Sequence, residues 1–209
     1  PRNHFTNVLF SADMLAGRQS DPAGGKLVES IRSAADTGLL FLEAVLDQAA
    51  GEARGEAVEP LPAGQVVQDA VDAFAERAQG KGMRLDLQLE PGLLVRGQRL
   101  ALGHVLQNLL SNAVKYAPSG SVVTVKALAR GEKARFLVID QGPGIPEAEQ
   151  GELFRRFAKL SSQPTGGESS TGLGLSLAKQ KARAMGGDLW YDPAPSGGAC
   201  FTLEMPRVP

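Results

Sequence analysis

The spacing of apolar residues in this chain changes near residue 61, and that change restricts the folds that the chain can form. Before it, apolar residues recur every three or four positions over 5–15 and 27–49, which predicts two amphipathic helices with a narrow seam. The segment GRQSDPAGG (17–25) separates them and favours a chain reversal. Residues 1–56 are therefore predicted to form a helical hairpin, which can cover its seam by pairing with a second copy in a dimeric four-helix bundle. Packing of the hairpin against the rest of its own chain is the alternative.

Beyond that point the chain mixes helical and strand patterns, which predicts an α/β two-layer sandwich over residues 61–209 with the helices on one face of the sheet. The segment 51–64 is rich in Gly, Glu and Pro and is predicted to be the boundary region. The expected helices cover 63–80, 98–116 and 173–185, and the expected strands cover 84–90, 93–97, 121–129, 134–140, 188–192 and 199–205.

The composition argues against several classes of function. A net charge of −1 with 22% charged residues gives no electrostatic reason to expect binding to nucleic acid or to a membrane surface. No apolar stretch reaches the length of a membrane span, and the one cysteine, Cys200, lies in an apolar strand pattern typical of a buried thiol. With no starting methionine and no signal-peptide pattern, we expect an internal, cytoplasmic piece of a longer protein, whose membrane anchoring stays open.

The polar block NLLSNAVKYAP (108–118) falls on the second of these predicted helices. Its residues Asn108, Asn112 and Lys115 are four and three positions apart, which places them on one helical face. An amide oxygen is a ligand that suits Mg²⁺, and a lysine offers a point charge to phosphates. Because asparagine is a poor helix former, two of them in mid-helix favour a binding role over a merely solvated face.

The block DQGPGIP (140–146) directly follows an apolar strand pattern. A carboxylate at the end of a strand, here Asp140, can accept a hydrogen bond from an exocyclic amine, and the glycines allow the backbone to approach a base closely. Taken alone, the DxGxG pattern is equally consistent with a plain turn.

The block STGLGLSLAK (170–179) opens the last predicted helix with Gly172 and Gly174. Exposed amides at the start of a helix form a natural site for phosphate. A simple N-cap by Ser170 or Thr171 is the alternative, and both readings can hold together. The pattern GxxxxGK[ST] occurs nowhere in the chain, so the protein is not a P-loop NTPase.

In their order and spacing, these three blocks resemble the asparagine box and the two glycine boxes of the sensor histidine kinase family, whose ATP-binding fold is shared with the gyrase and Hsp90 ATPases. The resemblance implies binding of ATP with Mg²⁺, with Asn112 as the magnesium ligand and Asp140 as the group that recognises the adenine amine. The implied nucleotide-binding residues are Asn108, Asn112, Lys115, Tyr116, Asp140, Gly142, Gly144, Ile145, Phe154, Arg155, Arg156, Phe157, Thr171, Gly172, Leu173, Gly174 and Leu175.

Residues 142–171 resemble the mobile lid that folds over ATP in this family. Phe154 and Phe157 match the family's phenylalanine box, and the following stretch is rich in glycine and serine. A loop of this length is usually functional or disordered. Arg155 and Arg156 are then expected within reach of the phosphates, and a solvated basic turn is an equal alternative.

The start of the chain, PRNHFTNVLFSADML, resembles the family pattern RTPLTAILGYAELL, which follows the acceptor histidine. In that register Asn3 takes the Thr/Asn position, where it could orient water for the reverse dephosphorylation, and His4 replaces a proline. The acceptor histidine is then expected just upstream of Pro1. A second register puts Asn3 at the histidine position, and His4 as the acceptor would put Val8 where Thr or Asn belongs.

The resemblance covers nearly the whole chain and implies the catalytic core of a two-component sensor histidine kinase. Such a core is a homodimer that transfers the γ-phosphoryl of ATP to a histidine on its hairpin and then to an aspartate of a response regulator. Two alternatives stay open: a serine kinase of the anti-sigma-factor type, and a pseudokinase or phosphotransfer scaffold. The amphipathic hairpin and the two phenylalanines argue against the first, and the intact nucleotide motifs argue against the second.

Overall fold

The structure, a computed structural model, describes residues 57–158, 160–165, 172–195 and 197–209. The predicted hairpin, with Asn3 and His4, lies outside the described residues, as does Thr171 of the predicted lid. In chain order the elements are β1 (Glu59–Pro62), α1 (Ala63–Gly80), β2 (Arg84–Leu89), β3 (Leu94–Gly97), α2 (Arg99–Tyr116), β4 (Val122–Arg130), β5 (Lys133–Ile139), α3 (Glu147–Gln150), α4 (Gly174–Ala184), β6 (Asp188–Pro193) and β7 (Ala199–Val208).

The seven strands form one mixed sheet in the order β1-β3-β7-β5-β4-β2, with β6 paired to β7 outside this path. β7 is long enough to have two partners in succession. Its first part, 199–204, pairs with β6, and its end, 207–208, pairs with β3. β2 and β4 run parallel, and the other described pairs are antiparallel.

The helices cover one face of the sheet, so alternate residues of the strands are fully buried. In β5 the buried positions are Ala134, Phe136 and Val138, and their neighbours are partly exposed. Helix α2 buries Leu102, Leu106 and five further apolar residues at helical spacing, so it lies in the core along a wide apolar stripe. The α/β two-layer sandwich predicted from the sequence is therefore confirmed for the described residues.

The predicted elements agree closely with the structure, apart from the short helix α3, which was not predicted, and two informative differences in the strands. β7 continues past Pro206 to Val208 because its end pairs with β3, whereas the sequence pattern stopped at Met205. β1 was not predicted at all, because its sequence EPLP looks like part of a boundary region. The strand tolerates its two prolines because it lies at the edge of the sheet and pairs only with β3. Leu61, which is 1% exposed, packs its side chain into the core.

Two smaller expectations also have an outcome. Cys200 is a buried free thiol in β7, as its apolar surroundings predicted. Across the residues that the structure describes, no helix has both the length and the apolar character needed to cross a bilayer.

Candidate nucleotide-binding site

The three sequence blocks meet at one end of the sandwich. A methyl group added to Gly142 would lie 3.1 Å from the carbonyl oxygen of Tyr116, so the first glycine block touches the end of α2. One added to Gly174 would lie 2.5 Å from Oδ1 of Asn108, so the start of α4 touches the asparagine block. The fold thus brings together residues that are far apart in the sequence, namely Tyr116 with Gly142 and Asn108 with Gly174.

Asp140 comes directly after β5, next to Gly142, and is 4% exposed. Its Oδ1 accepts hydrogen bonds from the backbone N–H of Gly142, at 2.8 Å, and of Ala199, at 3.1 Å. Burial raises the pKa of this carboxyl above its ordinary value, and the two backbone N–H groups oppose part of that rise. The two backbone hydrogen bonds therefore hold the carboxylate in a fixed orientation.

The second carboxylate oxygen of Asp140, Oδ2, accepts no hydrogen bond from the part of the chain that the structure describes. No side-chain oxygen or nitrogen of those residues is both fully buried and without a partner. Oδ2 therefore reaches accessible space, where it can accept a hydrogen bond from a ligand. An exocyclic amine is the kind of donor that such an oxygen suits.

The glycines beside Asp140 are required by close packing. A methyl group on Gly198 would lie 2.1 Å from the carbonyl oxygen of Asp140, and the residue has a φ of +93°. Gly144, with a φ of +69°, packs less closely, since a methyl group there would lie 3.1 Å from the carbonyl oxygen of Gly198. Glycine is required at position 198 by both the clash and the positive φ, and at position 144 chiefly by the positive φ.

Two residues that sequence reasoning missed hold Ile145. Its N–H donates to the hydroxyl oxygen of Tyr191, at 3.1 Å, and its carbonyl oxygen accepts from Nε2 of Gln150, also at 3.1 Å. The one sequence signal for Tyr191 was its place in DLWYD, where it shares a strand face with the buried Leu189. The pairing with Ile145 joins segments 46 residues apart and has no local signature.

The two asparagines of α2 differ in their surroundings. Nδ2 of Asn108 donates to the carbonyl oxygen of His104, at 3.0 Å, while its Oδ1 faces Gly174, so this side chain bridges α2 and α4. Asn112 is half-buried, and its amide makes no hydrogen bond with the described residues. Its oxygen is therefore available to a ligand or a metal ion.

A cation at this end would depend on neutral oxygen ligands. The described residues contain no group of three or more His, Cys, Asp or Glu side chains that could hold a metal ion. The amide oxygen of Asn112 fits Mg²⁺, which commonly takes few protein ligands and completes its shell with water and substrate phosphates. The residues present therefore fit Mg²⁺ held jointly with a nucleotide.

The end of α2 is tied to the predicted lid by Thr165. Its Oγ1 lies 3.0 Å from the carbonyl oxygen of Lys115 and 3.1 Å from that of Ala117, and its N–H donates to Lys115 as well. Nζ of Lys81 donates to the same hydroxyl, at 3.1 Å, and to the carbonyl oxygen of Val114, at 2.9 Å. Carbonyls in the last turn of a helix lack partners within it, and these contacts supply them.

The two phenylalanines of the predicted lid have different environments. Phe154 packs against the core, and Nζ of Lys179 lies 4.4 Å from its ring centre. Phe157 is 59% exposed with a φ of +62°, a conformation that bulky residues rarely adopt. Its N–H donates to the carbonyl oxygen of Gly172, at 2.9 Å, which links the turn to the second glycine block.

The arginines between these phenylalanines bond to other side chains of the protein. Arg155 pairs with Glu152, and Nη2 of Arg156 donates to Oε1 of Gln180 on α4, at 3.2 Å. Both side chains are exposed, so contacts with phosphates stay a prediction.

At the start of α4, Leu173 is buried and Leu175 packs against the core. These apolar side chains fix the position of the helix start. A methyl group on Gly172 would lie 2.5 Å from the carbonyl oxygen of Ala158, so the backbone of the glycine block lies against the turn that ends with Ala158.

Comparisons with known proteins agree with this geometry. Residues 97–209 match the family described as histidine kinase-, DNA gyrase B-, and HSP90-like ATPase. The sensor protein TorS of Escherichia coli is 30% identical over 98% of this chain, which corresponds to 22% of TorS. The chain spans about a quarter of the length of the first curated relatives that it matches.

Two solved structures extend the comparison. The mycobacterial sensor histidine kinase MprB superposes with a TM-score of 0.65 and 28% identity, over 73% of this chain and 99% of that one. The fold also matches full-length ShkA in complex with AMPPNP, with a TM-score of 0.69 and 24% identity, over 99% of this chain and 44% of that one. The chain belongs to the histidine kinase-, DNA gyrase B- and HSP90-like ATPase family, and it contains the ATPase core of a sensor histidine kinase.

Proposed function

We propose that this chain binds Mg-ATP at the site around Asp140 and transfers the γ-phosphoryl group to a histidine. The observation that carries the proposal is the open Oδ2 of Asp140, fixed by two backbone hydrogen bonds to Oδ1 at the point where the three motifs meet. The match to the ATPase family and the AMPPNP complex of ShkA support a nucleotide as the ligand.

Recognition of adenine follows from hydrogen-bond chemistry. The exocyclic amine of adenine can donate to Oδ2 of Asp140, whereas guanine presents a carbonyl oxygen at the equivalent position of its ring. Two acceptors that face each other in a site with little water are unfavourable, because the buried carboxylate is left without a partner. The site is therefore expected to prefer ATP over GTP.

The phosphate end of the site uses Asn112, Lys115 and the start of α4. Asn112 would hold Mg²⁺, which when bound neutralises charge on the phosphates. Lys115 contributes a positive charge one turn later, and the backbone amides at Gly174 contribute the positive end of an 11-residue helix. Together these groups would hold the triphosphate in place for an in-line transfer.

The acceptor end of the reaction is proposed from the sequence resemblance. Residues 1–56 would form the dimerising hairpin, with the acceptor histidine upstream of Pro1 and Asn3 near it, and residues 61–209 would form the ATP-binding domain. The bond between the β,γ-bridging oxygen and the γ-phosphorus breaks as an imidazole nitrogen bonds to phosphorus, and ADP leaves. The phosphoryl group would then pass to an aspartate of a response regulator. Because ATP is supplied inside the cell, the proposal includes a cytoplasmic location for this domain.

The experiment that tests the proposal is incubation of the full-length protein with γ-labelled ATP and Mg²⁺. Label that is lost in acid and retained in alkali is expected, since phosphohistidine has that stability. Acid-stable label would instead favour the serine-kinase alternative. Bound ATP with no transferred label would favour a scaffold. A protein that does not bind ATP would refute the proposal altogether.

A further inference from the structure

We infer that Tyr191 is a positioning residue for the adenine end of the site, an inference that rests on the proposed function. The contact that carries it is the hydrogen bond from the N–H of Ile145 to the Tyr191 hydroxyl oxygen, 3.1 Å long. Ile145 follows directly after the glycine turn that begins at Asp140. The hydroxyl therefore acts on the loop that would contact the base, not on the phosphates.

The ring of Tyr191 is itself held rigidly. It lies on β6, whose register places it beside Phe201 of β7, and the two ring centres are 5.7 Å apart with planes inclined at 59°. This tilted arrangement is a favourable one for aromatic pairs. Tyr191 also packs against the main hydrophobic core. A hydroxyl on a ring that two strands fix is a well-defined anchor point.

The loop that it anchors has few other means of support. Pro143 and Pro146 have no N–H, so residues 141–146 have four backbone donors, of which Gly142 bonds to Asp140 and Ile145 bonds to Tyr191. On the far side, the carbonyl oxygens of Ile145 and Gly144 also accept hydrogen bonds from Gln150 and Ser162, at 3.1 and 3.4 Å. Loss of the Tyr191 hydroxyl would remove the hydrogen bond that joins this side of the turn to β6.

The hydroxyl also lies close to Gly144, which packs against the backbone of Gly198. A methyl group on Gly144 would lie 3.6 Å from the Tyr191 oxygen and 3.1 Å from the carbonyl oxygen of Gly198. The turn is thus held between β6 and the segment that precedes β7. The Tyr191 hydroxyl thereby fixes the position of the turn relative to β6.

The test is Tyr191→Phe in the full-length protein, with ADP as the probe and isothermal titration calorimetry as the measurement. The substitution keeps the ring and its packing on Phe201 but removes the oxygen that accepts from Ile145. We expect a roughly 3- to 10-fold increase in the Kd for ADP, since one hydrogen bond is lost. In steady-state assays, KM for ATP should rise by a similar factor while kcat changes little.

A matched control is Trp190→Phe in the same strand. It also removes one polar ring atom, the N–H that donates to Asp192, but Trp190 faces the side of the sheet where Arg135 lies over its ring. This variant should bind ADP like the wild type. Backbone NMR provides a second readout, because the Ile145 amide should exchange faster with solvent in the Tyr191→Phe variant than in the wild type.

Three results would overturn the inference. The Tyr191→Phe variant could bind ADP with wild-type affinity, or the Trp190→Phe variant could lose as much affinity as Tyr191→Phe. The Ile145 amide could also exchange at the same rate in both proteins. Wild-type protein that fails to bind ADP would refute the proposed function itself, and this inference with it, so the two failures are distinguishable.

Discussion

The two ends of the site differ in how completely the protein prepares them. At the adenine end, Asp140 is buried and fixed, and the neighbouring loop is tethered to Tyr191. At the phosphate end, Asn112 makes no hydrogen bond with the described residues, and the arginines of the predicted lid bond to their own neighbours. In the proposed site, the protein would therefore supply a fixed receptor for the base, and ligand and metal ion would complete the triphosphate end.

This difference has a physical reason. A base is flat and largely apolar, so it is bound by shape and by a few fixed hydrogen bonds, which favour a rigid site. A triphosphate carries several negative charges. Cations and amides that already bond to other protein groups would be less able to bind those charges. The contrast predicts that substitutions at the adenine end affect both stability and binding, and that a substitution of Asn112 at the phosphate end affects binding alone.

The largest effect, on stability, is expected from Gly198→Ala, which disrupts the packing of the backbone against Asp140. The new methyl group would lie 2.1 Å from the carbonyl oxygen of Asp140, at a φ of +93°. The clash and the strained backbone together should cost at least about 2 kcal/mol of unfolding free energy, measured by chemical denaturation. Gly197→Ala is the matched control, because Gly197 has a similar φ of +82° but no atom within 4 Å. Equal losses in both variants would show that packing against Asp140 does not matter.

The next largest effect concerns the binding of the base, through Asp140→Asn. The amide oxygen can still accept from Gly142 and Ala199, so the fold should be retained. Its nitrogen would replace Oδ2 and place a donor against the donor amine of adenine. We expect roughly 5- to 150-fold weaker binding of ATP, measured by calorimetry. Wild-type affinity in this variant would mean that the base is recognised elsewhere.

The same substitution, although it weakens binding, should raise the stability of the protein at neutral pH. Because burial raises the pKa of Asp140 in the folded protein, the ionised carboxylate disfavours folding at any pH above that raised value. The stability associated with the protonated form is complete below the ordinary pKa of 3.8 and is lost as the pH rises through the folded-state value. Asparagine does not ionise, so Asp140→Asn should have the higher Tm at pH 7. The gap should shrink as the pH falls towards 4, and a gap independent of pH would contradict this account.

The sequence predicted the parts of this contrast that depend on local patterns. Alternation and helical spacing located the three long helices and all strands but β1, but not the short helix α3, and the motifs singled out Asp140 and Asn112 as candidate site residues. What it could not supply were contacts between distant segments. The bonds of Tyr191 to Ile145 and of Thr165 to Lys115 join residues that only the finished fold brings together. Such contacts have no period and no motif, because their geometry is set by how the elements pack.

At the phosphate end, Asn112→Ala should remove the effect of Mg²⁺ and leave the fold intact. Since this amide makes no hydrogen bond with the described residues, its loss leaves no buried group there without a partner. We expect ATP affinity in the presence of Mg²⁺ to fall roughly 5- to 30-fold, and affinity in EDTA to stay unchanged. Asn108→Ala is the control in the same helix. It removes the bond to His104 and should lower the unfolding free energy by about 1 kcal/mol. A loss of stability in Asn112→Ala would break the contrast between the two ends.

The smallest effect is expected from Thr165→Val, which tests whether the phosphate end has any preorganisation. Valine has nearly the same shape, but it removes the hydroxyl beside the carbonyl oxygens of Lys115 and Ala117. The bond from the Thr165 N–H to Lys115 remains, and Lys81 keeps its bond to Val114, so only part of the attachment is lost. KM for ATP should therefore rise roughly 2- to 5-fold, with the Tm little changed.

Thr165→Ser is the matched control for this last experiment, because it keeps the hydroxyl and should behave like the wild type. A rise in KM for both variants would show that any change of shape at this position matters, and not the loss of the hydroxyl alone. If the valine variant binds ATP like the wild type, the attachment of residue 165 to α2 does not position Lys115, and the phosphate end is organised by its ligand alone. If KM rises as expected, the end of α2 is held in place before the triphosphate binds. Both ends of the site are then preorganised by the protein, and the adenine end is the more completely preorganised of the two.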